Sequence, residues 1–202
     1  YAQTVSVAPA SAKKAAQPWL YEGSDIPVDD TWTFGVLPNG LRYAVKKNDV
    51  PAGQVSIRVR IDAGALHENN DEQGFAHLIE HLSFRGSTFV PDGEAKRIWQ
   101  RFGVTFGSDS NAQTTPTQTV YKLDLPNATP EKLDESVKII SGMIRNPRIS
   151  PAALNAERAI VLAELRENSG AQMIYSDALR QHAFQGQRLA NRSTIGTPET
   201  LQ

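Results

Sequence analysis

The segment Gly74-Phe75-Ala76-His77-Leu78-Ile79-Glu80-His81-Leu82 constrains this chain more than any other stretch. With about 100° of turn per residue and His77 at the origin, Glu80 falls near about 300° and His81 near about 40°. Phe75, Leu78, Ile79 and Leu82 fall between about 100° and about 200°. A helix is the period that separates the two sets. One arc is apolar and has to pack inward, and the other collects two imidazoles and a carboxylate. Acidic residues from Glu68 to Glu72 lead into this helix, read as Gln73 to Phe84, and Gly86 follows its end.

Histidines four apart on one helix face can both reach one zinc ion at about 2.0–2.1 Å. Glu80 lies beside that pair and is placed to take a proton from a metal-activated water, because zinc brings the pKa of water towards about 7. Four His and eleven Glu in 202 residues generate H-x-x-E-H by chance roughly 0.004 times per chain, so coincidence is a poor account. A catalytic zinc needs a third protein ligand and an open position. The helix opened by Ser150-Pro151 offers two candidates seven residues apart, Glu157 and Glu164, on one face with Ile160 and Val161. A carboxylate on an apolar stripe needs a partner. A metal supplies one; an arginine such as Arg158 is the alternative. His67 and His182 have no companion signal and are read as surface or structural.

The rest of the chain alternates short strands and helices. Trp32–Val36 and Leu41–Lys46 flank the turn Pro38-Asn39-Gly40, and Gln54–Asp62 alternates apolar and polar residues cleanly. A helix is predicted over Gly93–Phe102. Strands are predicted over Val104–Ser108 and Thr117–Leu125, with the polar segment Asp109–Pro116 between them. Helices follow from Thr129 to Arg145, with Val137, Ile140 and Ile144 as the apolar stripe, from Ser150 to Asn168, and from Ala171 to Phe184. Gly196-Thr197-Pro198-Glu199 opens another. The predicted architecture is α+β, an antiparallel-rich mixed sheet with helices packed on one face. Residues 1–29 lack hydrophobic periodicity and read as a disordered or extended leader, similar to the mature end left after export. The domain is expected over 30–202, with its C-terminal closing elements missing.

Bulk composition narrows the function. A net charge of −1 argues against a nucleic-acid surface. No apolar run approaches the roughly 20 residues of a membrane span. With no cysteine, any metal must be held by His and carboxylates.

The surroundings of H-x-x-E-H resemble the pitrilysin/insulinase family of zinc metallopeptidases, whose motif is the inverted form of H-E-x-x-H. The likeness runs through Leu37-Pro38-Asn39-Gly40-Leu41-Arg42, the Ala63-Gly64 turn, Gly74 to Ser87, Gly107 to Ala112, Thr119-Val120-Tyr121 and Glu157-Arg158 to Glu164. It implies that His77, His81 and Glu164 hold one zinc ion per domain, that Glu80 is the catalytic base, and that Glu157 supports the site. The spacing from His81 alone would favour Glu157 as ligand; the local pattern E-R-x-x-V-x-x-E favours Glu164. It also implies that Asn111 and Ala112 lie on an edge strand that holds the substrate backbone. Read from the residues alone, a turn-forming Asn111 is the favoured reading, although an Asn beside a polar loop can hydrogen-bond a peptide.

The family resemblance further implies one half of a clamshell endopeptidase acting on peptides or unfolded polypeptides. A second homologous half, in the same longer chain or in a partner subunit, supplies Arg and Tyr groups. This piece alone is then expected to bind zinc and to hydrolyse peptides weakly or not at all. A periplasmic or secreted bacterial location is the matching expectation. Two other readings compete: a non-catalytic homologue serving as a scaffold or partner subunit, and a bare metal-binding module. Glu80, beside the metal pair without being a ligand, favours the enzyme.

Overall fold

The computed structural model describes Trp19 and residues 21–202, which divide into two compact units at the Val50–Pro51 boundary. The expected leader falls mostly outside the described residues. In the first unit, β1 (Trp32–Val36) and β2 (Arg42–Lys46) form an antiparallel hairpin with Gly35 opposite Tyr43. Its turn is closed by Gly40 N–H donating to Leu37 O at 2.8 Å, and the rings of Trp19 and Tyr21 pack against Phe34.

The second unit is built on a three-stranded antiparallel sheet of order β3-β5-β4, with β3 at Val55–Ile61, β4 at Ser110–Thr114 and β5 at Thr119–Leu125. Six helices accompany it: α1 (Phe75–Ser83), α2 (Glu94–Arg101), α3 (Pro130–Arg145), α4 (Pro151–Glu167), α5 (Ala171–Ala183) and α6 (Pro198–Leu201). The starts of α3 and α4 follow their local chemistry. Thr129 and Ser150 each accept a backbone N–H with their side chains, and each is followed by proline.

Tyr121, Leu123 and Leu125 project from one face of β5 into the main core. Ala95, Ile98 and Trp99 of α2 and Ile139, Ile140 and Met143 of α3 meet them there. A second cluster joins Leu78 and Leu82 of α1 to Val161 of α4 and Leu201 of α6. It fastens the histidine helix to α4. No helix among the described residues is long and apolar enough to cross a membrane.

Three local expectations need correction. The strand predicted over Val104–Ser108 is a loop: Val104 closes the end of α2 through Trp99 O, Gly107 takes φ +99°, and the Asp109 carboxylate accepts Thr105 N–H at 2.8 Å. The strand lies instead in the segment read as a polar connection. β4 is an edge strand with Ser110, Ala112 and Thr114 turned inward, so its polarity reflects a solvent-facing border. On α3, Val137 is exposed, and Ser136, Ile139, Ile140 and Met143 face the core.

The opposite face of the sheet carries a charge cluster. Asp124 accepts from Ser56 Oγ and Arg58 Nη1, both at 2.8 Å, and sits 3.0 Å from Lys122 Nζ. Burial pushes its pKa up, but the hydrogen bonds from Arg58, Lys122 and Ser56 outweigh it and hold the carboxyl at about 2, below the ordinary 3.8. A depressed carboxylate contributes its full stability above the unfolded value and loses it as pH falls through the folded one. The contribution here is about 2 kcal/mol at neutral pH. Asp124→Asn is therefore expected to lower unfolding free energy by about 1–2 kcal/mol at pH 7. Its deficit against wild type should shrink between pH 4 and pH 2. Urea titrations across that window check this; a deficit independent of pH contradicts it.

Candidate metal centre

α1 presents His77 and His81 one turn apart, their rings edge-to-face with centroids 4.7 Å apart. α4, packed against it, brings Glu164 to the same point. Glu164 Oε2 lies 3.8 Å from His77 Nε2 and 3.7 Å from His81 Nε2, and the donor atoms of the three residues all lie within 4.8 Å of one another. These separations exceed hydrogen-bond length and lie slightly above the roughly 3.3 Å edges of a tetrahedral zinc site with 2.0–2.1 Å bonds. Two imidazoles and a carboxylate from two helices thus form a group that can hold a metal ion. Burial pushes the His77 imidazole below its ordinary pKa, and the neighbouring His81 adds to the effect. A neutral ring keeps the lone pair that a metal requires.

Glu157, one helical stretch earlier on α4, is buried and does something different. Its Oε2 lies 3.0 Å from His81 Nδ1, and its Oε1 accepts from Arg85 Nε at 2.5 Å. With the carboxylate as acceptor, Nδ1 is the donor, and this contact turns Nε2 towards Glu164. The arginine partner expected as the alternative for these glutamates is thus present for Glu157, but it is Arg85, not Arg158. Arg85 lies four residues beyond His81, just past the end of α1 and about 40° from His81 on the helical wheel, so the spacing held that signal.

Glu80 is buried on α1 and accepts from Thr114 Oγ1 of β4 through Oε2, at 2.5 Å. Burial pushes its carboxyl above the ordinary range, and the Thr114 hydrogen bond opposes that. Thr114 carries no sequence signal of its own; its inward direction follows from the alternation of β4. A cleft of about 570 Å³ opens over this group, and its walls include His77, Glu80, Ala112, Thr114, Glu164 and Arg180. Asn111 and Ala112 lie on β4, whose outer edge has no strand partner among the described residues. Asn111 Oδ1 accepts the N–H of Ala112 at 2.9 Å. The apolar arc of α1 is only half buried: Leu78 and Leu82 are in the core, whereas Phe75 and Ile79 border a separate apolar cavity. His67 Nδ1 accepts Gly64 N–H at 3.1 Å, a structural role, and His182 is exposed.

Comparison with known proteins gives the group a context. Residues 43–197 match the family model described as Insulinase (Peptidase family M16). The chain is 32% identical over 183 residues to a probable zinc protease PqqL of Haemophilus influenzae, covering 91% of this chain and 20% of that protein. It is 31% identical over 168 residues to the mitochondrial-processing peptidase subunit beta of Caenorhabditis elegans, covering 82% of this chain and 34% of that one. Among solved structures, the first half of the periplasmic protease PqqL from Escherichia coli superposes with a TM-score of 0.83 at 31% identity, covering 87% of this chain and 38% of that structure. The chain therefore spans about a fifth of the length of the Haemophilus protein.

Proposed function

The chain belongs to the insulinase family of peptidases, family M16, and from that premise we propose that it is the zinc-bearing part of an endopeptidase in which His77, His81 and Glu164 hold one zinc ion. The observation that carries this is the meeting of two Nε2 atoms and one carboxylate oxygen from α1 and α4, with a buried, non-converging glutamate beside them. When bound, zinc polarises a peptide carbonyl and lowers the pKa of water. Glu80 is the base. Its Oε2 is occupied by Thr114, which leaves Oε1 to take a proton from water and return it to the departing amine. Glu157 keeps the His81 proton on Nδ1, and Arg85 balances the charge of Glu157. The free edge of β4, at Asn111 and Ala112, offers an extended peptide a strand to pair with.

The substrate class that fits is a peptide or unfolded polypeptide, since strand addition reads backbone and not a folded surface. The opposite wall of the chamber belongs to a second homologous half. A periplasmic location is proposed from the description of the Escherichia coli relative as a periplasmic protease. The test is metal analysis and peptide hydrolysis by the full-length protein. One zinc per copy of this domain is expected, with activity abolished by a chelator and restored by zinc. Stoichiometric protein without zinc, or hydrolysis indifferent to chelation, sinks the proposal.

Thr114 gives a finer check. Thr114→Val removes the hydroxyl that orients Glu80 and is expected to lower kcat about tenfold with zinc content unchanged. Thr114→Ser should restore most of it. Equal kcat in Val and Ser variants refutes the orienting role.

A further inference from the structure

His81 is oriented by a side-chain hydrogen bond to Glu157, whereas His77 Nδ1 is buried with no hydrogen-bond partner. With no hydrogen bond at Nδ1, the His77 ring is placed by its edge-to-face contact with His81 and by the backbone of the first turn of α1. That turn does not cap itself. Gly74, at the N-cap, has no side chain to offer. Instead the buried Glu68 carboxylate, six residues upstream, accepts Gly74 N–H at 3.0 Å and Ala76 N–H at 2.7 Å. This satisfies orphan donors and sets a negative charge at the positive end of the helix.

The loop carrying Glu68 is gripped from far downstream. Arg188 donates to Glu68 O, and Arg192 donates to Asn69 O at 3.3 Å and to Asn70 Oδ1 at 2.9 Å. Arg192 is only 3% exposed and has no carboxylate within 4.0 Å among the described residues. A buried cation facing only carbonyl and amide oxygens is a costly way to stabilise a fold, and a rigid planar fork is suited to fixing two acceptors of adjacent residues. A few residues on, Gly196 lies back to back with Gly74. A Cβ on Gly196 would stand 2.5 Å from Gln73 O, and one on Gly74 would stand 2.7 Å from Ile195 O. Thr200 Oγ1 then donates to Gln73 O at 2.6 Å, and Leu201 inserts beside Leu78 and Leu82.

From these contacts we infer that residues 187–201 form a clasp on the N-terminal end of α1, with Arg192 as a positioning residue that acts on His77 through the Glu68–Asn70 loop. The inference rests on His77 and His81 being zinc ligands. It assigns the clasp a role in metal affinity that is separate from fold stability.

The experiment compares zinc affinity, by competition titration with a chromophoric chelator, in the full-length protein and in Arg192→Gln, Arg188→Gln and Asp124→Asn. Asp124 lies on the far face of the sheet and controls for lost stability. Arg192→Gln is expected to weaken zinc about tenfold or more, the scale seen when the partners of ligands are removed. Arg188→Gln should weaken it by a smaller factor, and Asp124→Asn should stay within about twofold of wild type. Hydrogen exchange at the amides of Ala76 to Leu78 in the zinc-free protein should quicken more in both arginine variants than in Asp124→Asn, whose lost stability speeds exchange only through global opening. Should Arg192→Gln not fold, Arg188→Gln, whose side chain is exposed, decides alone. Zinc affinity equal to wild type in the folded arginine variants, or lowered as much by Asp124→Asn, overturns the clasp. Wild-type protein that binds no zinc overturns the ligand assignment instead.

Discussion

Glu80→Gln in the full-length protein is expected to lower kcat/KM by about 10²–10⁴, equivalent to about 3–5 kcal/mol of transition-state stabilisation, while zinc stays bound. The exchange is nearly isosteric, and an amide oxygen can still accept from Thr114 Oγ1, so the side chain keeps its place beside β4. What disappears is the oxygen that accepts a proton. Glu80 contributes no atom to the converging group of His77, His81 and Glu164, so metal content should match wild type. KM should move little, because peptide binding is assigned to the edge of β4 and not to this carboxyl. Two results would break the argument differently. Activity within a few-fold of wild type moves the base elsewhere, and loss of zinc makes Glu80 a ligand.

The residues of this centre were legible from sequence to unequal degrees. The His77–Glu80–His81 group is local: helical period alone puts all three on one face, and the helix formed over nearly the predicted span. The helix starts at Thr129 and Ser150 were equally local, because an N-cap and a following proline sit within two residues. Where a feature depended on what lies alongside, sequence reasoning failed. The sequence of β4 looks like a connection because an edge strand beside a cleft lacks the apolar alternation of a covered one. Thr114 was lost with it, since its inward direction follows from that alternation. Phe75 and Ile79 satisfied the apolar pattern yet stand half-exposed at a cavity; periodicity gives direction and does not say what fills the space ahead.

Long-range pairs were hidden for a related reason. Arg192 and Asn70 are separated by more than 120 positions, and nothing in the local pattern of either announces the other. In sequence Glu68 is one member of an acidic run leading into a helix, favourable charge near a helix start. The structure narrows it to one buried carboxylate accepting two N–H groups.

The choice between Glu157 and Glu164 was the point at which spacing and resemblance pulled apart, and the two carboxylates should separate in opposite orders in two measurements. Glu164→Gln is expected to weaken zinc by at least about 100-fold, because among the described residues Glu164 Oε2 is the only carboxylate oxygen facing both Nε2 atoms and makes no hydrogen bond. Glu157→Gln should weaken zinc about 10–100-fold, since it loosens His81 without removing a ligand. In the zinc-free protein the order reverses. Glu157 is buried with both oxygens engaged, so its loss leaves the half-buried Arg85 without its short ion pair and His81 without its orienting acceptor. That should lower the melting temperature. Glu164 is 41% exposed, its ion-pair distances to the two imidazoles are 3.8 and 3.7 Å, and its charge repels Glu80, so Glu164→Gln should leave the zinc-free melting temperature close to wild type. Zinc retained by Glu164→Gln but lost by Glu157→Gln reverses the assignment, and a larger stability loss in Glu164→Gln would show that its carboxylate is a structural partner in the absence of metal.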